Sequence, residues 1–182
     1  MPSNRLSPQD ALAMEEHIPA LRRYARALAR DADRADDLVQ DCLERAVARF
    51  TQFRPGTNLR TWLFTILHNL HCDGMRRQSR RGIHVPIDDW MDNAKSPAEQ
   101  PRVMQLRDFR RAFSSLHESD QQILLLIGLE GFTYEQASDV LNVAVGTVKS
   151  RLFRARERLR ALETEMGQPT GGGSRPEGAM RQ

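Results

Sequence analysis

Between residues 149 and 160 the chain carries Lys149, Arg151, Arg154, Arg156, Arg158 and Arg160, with Ser150, Phe153 and a single acid, Glu157, among them. Guanidinium groups, a hydroxyl and an aromatic ring at helical spacing are the equipment for reading base edges in a DNA major groove. Arginine pairs with guanine, a hydroxyl with any base, and a ring with the thymine methyl. Advancing about 100° per residue, Val148, Leu152, Ala155, Leu159 and Leu162 gather on one side, and such a stripe must face a core. Lys149, Ser150, Phe153, Arg154 and Glu157 lie opposite. Arg151, Arg156 and Arg158 fall on the flanks, where cations hold phosphates and set register. A phenylalanine opposite the core stripe has little structural purpose unless something covers it.

The elements that position these residues are marked in the sequence. Thr133 and Gln136 have capping-box spacing, which predicts a helix from Tyr134. Asn142 stands where the chain must turn, and asparagine tolerates a left-handed backbone better than other non-glycine residues. A second helix is expected from Val145. Helix, short turn and cationic helix together form a helix-turn-helix.

A different chemistry is suggested by His68, His71 and Cys72, whose i, i+3, i+4 spacing could hold zinc. No fourth ligand or catalytic carboxylate accompanies them. The expectation is therefore no metal, no cofactor and no enzymatic activity.

Charge is distributed more tellingly than its total. The net charge of the 182 residues is +3. Residues 51–82 hold six arginines against Asp73, a net of +5, and residues 143–162 hold six basic residues against Glu157, again +5. Residues 83–142 carry five basic and ten acidic residues, a net of −5. Two cationic patches separated by an acidic stretch suggest two contacts with a polyanion. The two cysteines, Cys42 and Cys72, are too few for a disulfide framework, which fits a reducing cytoplasm. No apolar run reaches the roughly 20 residues of a membrane span, and residues 1–10 lack a hydrophobic signal region. The chain is expected to stay in the cytoplasm.

Periodicity places helices throughout and no strand, so the fold class is all-α. Ser7-Pro8 begins a helix, and Pro19 marks a break or kink. A helix expected from Asp33 to near Phe50 collects Ala35, Leu38, Val39, Cys42, Ala46 and Phe50 on one face. Asp37, Gln40, Asp41 and Glu44 share the opposite face. After a loop around Pro55-Gly56, a long helix from Leu59 to about Arg77 buries Leu59, Trp62, Leu63, Ile66, Leu67 and Leu70 and ends in Arg76, Arg77, Arg80 and Arg81. A first domain, 1–82, is thus followed by an extended linker, 83–102, with Pro86, Pro97 and Pro101. A second domain, 103–166, holds a helix from about Val103, another over Glu118 to Glu130 with Gly131 as C-cap, and the helix-turn-helix. Residues 167–182, with Gly171-Gly172-Gly173-Ser174, are expected to be disordered.

Three motifs resemble those of the extracytoplasmic-function sigma factors, the two-domain minimal form of the bacterial transcription initiation factor. Ala35-Asp36-Asp37-Leu38-Val39-Gln40-Asp41 resembles region 2.2. The run from Phe53 to Asn69, beginning Phe-Arg-Pro-Gly-Thr-Asn-Leu-Arg, resembles regions 2.3 and 2.4. The segment Tyr134 to Arg160 resembles region 4.2. The resemblance covers residues 12–162, and its wording is similar to the alphaproteobacterial general-stress subgroup.

That resemblance implies two small helical domains, a region 2 bundle and a region 4 helix-turn-helix. It implies that Asp37, Gln40 and Asp41 dock on the clamp helices of the polymerase largest subunit, and that the flap of the second-largest subunit is also a partner. Thr57, Asn58, Arg60, Trp62, His68, Asn69, Arg76 and Arg77 would surround the captured minus-10 single strand, where stacking and cation contacts are needed and unstacking a base costs a few kcal/mol. Trp62 also lies on the apolar stripe, where core packing competes with base stacking. Lys149, Ser150, Arg151, Phe153 and Arg154 would meet the minus-35 duplex. Asp88, Asp89 and Asp92 resemble the linker that threads toward the RNA channel. Promoter DNA, core polymerase and an anti-sigma factor are the implied partners.

Two positions depart from the family pattern. Ala144 stands where a serine often caps the recognition helix, a loss of about 1 kcal/mol, and Asn142 replaces a common turn glycine. Two rival readings share some of these residues. A sigma-like decoy binds an anti-sigma factor and no promoter; it should lack the recognition-helix arginines and usually carries a receiver domain. A stand-alone helix-turn-helix regulator would leave Asp37, Gln40, Asp41 and the Phe53 to Arg77 motif unused.

Overall fold

The structure is a computed structural model that describes residues 6–54, 56–80 and 100–167. Every element among them is helical. Helix α1 spans Pro8–Glu15 and starts at the expected cap: Ser7 Oγ accepts from the Asp10 amide (3.2 Å) while the Asp10 carboxylate accepts from the Ser7 amide (3.0 Å). Helix α2, Ile18–Ala29, carries Pro19 in its first turn, where the missing N–H costs nothing. It ends at Arg30, whose φ of +56° is left-handed. That conformation is costly for a side chain with a Cβ, and two long-range contacts hold it: Arg30 Nη2 donates to Gln121 Oε1 (2.9 Å) and to the Ser114 carbonyl (3.4 Å).

Helix α3, Ala32–Ala48, begins one residue earlier than the periodicity placed it, because Asp31 accepts from the Arg34 amide (2.7 Å) and serves as the cap. It stops short of Phe50, which opens a separate 3₁₀ turn, Phe50–Gln52. Helix α4, Leu59–Arg80, is capped by Asn58, whose Oδ1 accepts from the Thr61 amide (3.1 Å). It runs past the expected Arg77. Leu21, Tyr24, Ala25, Ala35, Val39, Cys42, Ala46, Leu63, Phe64 and Leu67 of these helices are buried together. The Cys42 thiol donates to the Leu63 carbonyl (3.4 Å), and burial pushes its pKa up to about 12, so it is a packing group and not a nucleophile.

Helix α5, Gln100–Ser115, starts inside the segment read as linker, with Pro101 again tolerated in a first turn. Helix α6, Glu118–Leu124, continues into a π turn, Leu125–Leu129, where sequence alone suggested one uninterrupted helix. The Glu130 amide reaches back five residues to the Leu125 carbonyl (3.0 Å). Beyond it, Gly131 adopts φ +68°, and the Phe132 amide closes on the Leu126 carbonyl (3.0 Å). Helices α7, Tyr134–Leu141, and α8, Val145–Gly167, follow. Residue 167, expected as the start of the tail, is the last of α8. Asp88, Asp89 and Asp92, Arg81, and the glycine-rich segment after 167 lie outside the described residues.

The two helical halves are not separate in space. Helix α4 packs on α7, and α2 packs on the π turn. Leu125, Leu126, Phe132, Ala137, Val140 and Val148 belong to the same buried cluster as Leu21, Phe64 and Leu67. Phe64 is the hinge of this shared core, with ring centroids 5.2 Å from Tyr24 on its own half and 4.8 Å from Phe132 on the other.

Candidate nucleic-acid interface

The helix-turn-helix is built by local bonds. Thr133 Oγ1 accepts from the Gln136 amide (3.2 Å) and Gln136 Oε1 accepts from the Thr133 amide (3.0 Å), completing the capping box. Asn142 turns the chain at φ +51°. Ser138 Oγ donates to the Val143 carbonyl (2.6 Å) and so ties the end of α7 to the turn. Val148, Leu152 and Ala155 are then buried, and the opposite face of α8 presents Lys149, Ser150, Phe153 and Arg154 to solvent. Phe153 is 68% exposed, the most open of the large apolar residues described. Arg154 Nε lies over the preceding turn, donating to the Ser150 carbonyl (3.4 Å), and the Lys149 ammonium sits 5.7 Å from the Tyr134 ring. Arg151 is half-buried at the edge.

The flanking arginines divide. Arg156 is exposed. Arg158 donates to the buried carboxylate of Asp120 (2.7 Å), pinning α8 to α6. That makes Arg158 a structural tie, a role the charge run did not reveal.

The second cationic region separates into two opposite faces of α4. At 100° per residue, Trp62, Asn69 and Arg76 share one face, and the exposed loop residues Thr57 and Asn58 adjoin its N-terminal end. Trp62 is half-buried, its ring 5.3 Å from Phe53 and 6.2 Å from Phe50, so one side of the indole packs on the loop aromatics. Arg76 lies 3.4 Å from Asp73, and Arg77 is exposed at the flank. This face can offer a channel lined by an aromatic ring, an amide and cations.

Arg60, Phe64, His68 and His71 occupy the other face, which the C-terminal half covers. Arg60 Nη2 donates to Glu130 Oε2 (3.0 Å) and to the Glu130 carbonyl (2.7 Å). His68 is 7% exposed, with Nε2 3.4 Å from Cys72 Sγ and Nδ1 lacking a partner among the described residues. Burial pulls its pKa down to about 4, and His71 adds to the shift. His71 Nε2 donates to Glu118 Oε1 (3.1 Å), and that bond holds the Glu118 carboxyl below its usual range. His68 and His71 therefore lie between the two halves, a burial that the sequence did not show. No group of three or more His, Cys, Asp or Glu among the described residues is arranged to hold a metal.

On α3, Asp37, Gln40 and Asp41 are all exposed, as the periodicity indicates. Gln40 Nε2 donates to Glu44 Oε1 (3.0 Å), while neither Asp37 nor Asp41 enters an ion pair among the described residues. The adjacent Asp36 differs, with Arg22 and Arg26 of α2 at 3.6 and 3.9 Å. Sequence reading missed the arginine row of α2, Arg22, Arg23, Arg26 and Arg30, although its spacing on an amphipathic helix was available. It also missed Glu130. No described helix is long and apolar enough to cross a membrane.

Residues 14–68 match the family described as the sigma2 domain of PhyR, and residues 106–159 match sigma-70 region 4. The chain is 43% identical over 145 residues to the ECF RNA polymerase sigma factor EcfG of Rhodopseudomonas palustris, covering 80% of each sequence. Among solved structures, it matches the sigma factor RpoE of Bartonella quintana, crystallised with the anti-sigma factor NepR, with a TM-score of 0.74 and 34% identity over 89% of this chain and 100% of that one. The PhyR–NepR complex of Sphingomonas sp. Fr1 shares the fold, with a TM-score of 0.61 at 21% identity, covering 90% of this chain and 95% of that one.

Proposed function

The chain belongs to the extracytoplasmic-function (ECF) RNA polymerase sigma factors, the group that directs promoter-specific transcription initiation, and from that premise we propose which of its residues do so. The outward face of α8 carries the reading. An exposed Phe153 flanked by Lys149, Ser150 and Arg154 on the recognition helix has the chemistry for minus-35 duplex, with Arg151 at the phosphate edge. Thr57, Asn58, Arg60, Trp62, His68, Asn69, Arg76 and Arg77 take the minus-10 element as single strand, Arg60 and His68 once the C-terminal half has moved off their face of α4. Residues 1–82 act as the polymerase-binding and minus-10 domain and residues 103–166 as the minus-35 domain. Asp37, Gln40 and Asp41 meet core polymerase, and an anti-sigma factor related to NepR restrains the protein in the cytoplasm.

The direct test is run-off transcription from a linear genomic promoter by core polymerase with this protein added. Promoter-specific transcripts are expected, and Asp37→Lys is expected to abolish most of them by weakening core binding while the α8 face still binds its duplex. Equal core affinity of the Asp37→Lys variant and wild type would remove Asp37 from the docking surface. Arg154→Ala is expected to weaken minus-35 binding by about 1–3 kcal/mol and to relax the preference at one base step; a binding titration showing unchanged discrimination between cognate and mutated duplex would reassign that residue.

A second reading rests on the match of residues 14–68 to the sigma2 domain of PhyR. It makes the chain a decoy that occupies an anti-sigma factor without touching a promoter. Capture of NepR-like protein with no promoter-specific transcript on any template would decide for it.

A further inference from the structure

The strongest feature outside the promoter-facing surfaces is the cradle around Glu130. Its side chain is completely buried, yet it is an acid in a chain segment of leucines. Two cations from the N-terminal half account for it. Arg23 of α2 makes a two-pronged contact, Nε to Oε1 (3.2 Å) and Nη2 to Oε2 (3.0 Å), and Arg60 of α4 adds Nη2 to Oε2 (3.0 Å). The Arg60 guanidinium also lies over two rings that pack on each other, 5.3 Å from the Phe64 centroid and 4.5 Å from that of Phe132. A planar cation held by carboxylate oxygens and aromatic faces is the arrangement by which arginine holds a phosphate beside a base. Two further contacts cross the same boundary, His71 to Glu118 and Arg30 to Gln121.

We propose that Glu130 and Phe132 form an intramolecular latch that occupies Arg23 and Arg60 in place of a nucleic-acid strand, closing the free chain until the strand or the polymerase displaces it. This deepens the minus-10 reading and rests on it for the identity of the competitor. The latch is asymmetric. It covers Arg60 and His68 but leaves Lys149, Ser150, Phe153 and Arg154 open, so the closed chain keeps its duplex-reading face and hides part of its strand-binding one. The buried carboxylate supplies the unit negative charge and the pair of acceptor oxygens that a phosphodiester would offer the same guanidinium groups. Closure and strand binding therefore draw on the same guanidinium donors and exclude one another. Arg23, with its side chain 55% exposed, and Arg60, at 29%, stay solvated enough to exchange one anion for another.

The test uses the free full-length chain. Glu130→Gln keeps the side-chain volume and removes the charge, and Glu135→Gln, an exposed acid of the same half, controls for the loss of one negative charge. Small-angle scattering is expected to give a larger radius of gyration for E130Q than for wild type and E135Q. A short single-stranded DNA of mixed sequence should bind E130Q about tenfold more tightly, the gain expected when an open form populated on the order of a tenth becomes dominant. Affinity of all three for a duplex should agree. Unchanged dimensions of E130Q, or expansion without tighter strand binding, would overturn the latch. If E130Q lacks a cooperative melt, Glu118→Gln decides at the other end of the same boundary: expansion with tighter binding supports the latch and no change overturns it. Failure of the minus-10 reading is separable, because R60A holoenzyme would then transcribe normally whatever the dimensions of the free chain.

Discussion

Phe64→Ala is expected to lower the unfolding free energy by about 3–5 kcal/mol, a large part of the 5–15 kcal/mol that holds a typical domain together. Phe64 has no solvent exposure, and its ring lies between Tyr24 and Phe132. Truncation would remove the packing inside the N-terminal bundle and the contact to the C-terminal half at once. The surrounding side chains come from α2, α4 and the segment after the π turn, so collapse into the cavity would require the halves to shift together. Urea denaturation followed by far-UV circular dichroism measures the loss. A change under about 1 kcal/mol would mean that this ring is not at a shared core in solution.

Acidification from pH 7 to 5 is expected to destabilise the wild-type chain by about 2 kcal/mol through His68. The sign follows from where the proton binds. In the unfolded chain the imidazole titrates near its model value of 6.5, whereas burial, His71 and Arg76 together outweigh the pull of Glu118 and bring the folded value to about 4. Between those values the unfolded state takes up a proton that the folded state refuses. Stability is therefore full above about pH 6.5 and declines as the pH falls toward 4. Cys72, the remaining neighbour, has its own thiol pKa raised by burial and stays neutral throughout. His17, lowered by burial and by Arg60, adds a slope of the same sign, and Glu118, held below its usual range, loses its contribution only at lower pH. His68→Gln should flatten the dependence while retaining the part due to His17. Denaturation midpoints at pH 7, 6 and 5 with equal slopes for the two proteins would refute a neutral buried His68.

What the sequence made legible was local. The boxes at Ser7 and Thr133, the left-handed Asn142 and the sorting of α8 into buried Val148, Leu152, Ala155 and exposed Phe153 each depend on residues within four positions of one another. Helical periodicity and cap chemistry act at that range. For Arg60, His68 and Arg158 the sequence showed only cations and an imidazole near DNA, because Glu130 and Asp120, the partners of the two arginines, are 70 and 38 residues away and the C-terminal half reaches His68 only by folding. Nothing near Glu130 announces that an acid among leucines will be buried. Trp62 kept both of its readings, since a half-buried indole packed on Phe50 and Phe53 still shows an edge to solvent.

The π turn at Leu125–Leu129 gives these long-range contacts an unusual dependence on chain length. A π turn winds one more residue into a helical turn than an α-helix does. Because the turn absorbs one extra residue, rewinding the same residues as a regular α-helix would rotate everything that follows by nearly 100°, carrying Glu130 away from Arg23 and Arg60 and Phe132 away from Phe64. Loss of one residue together with a return to regular winding would leave that aim nearly unchanged, because the residue lost is the one the wider turn absorbs. The information that directs an acid and a ring onto the other half of the molecule is thus held jointly in a count of residues and in the width of one helical turn.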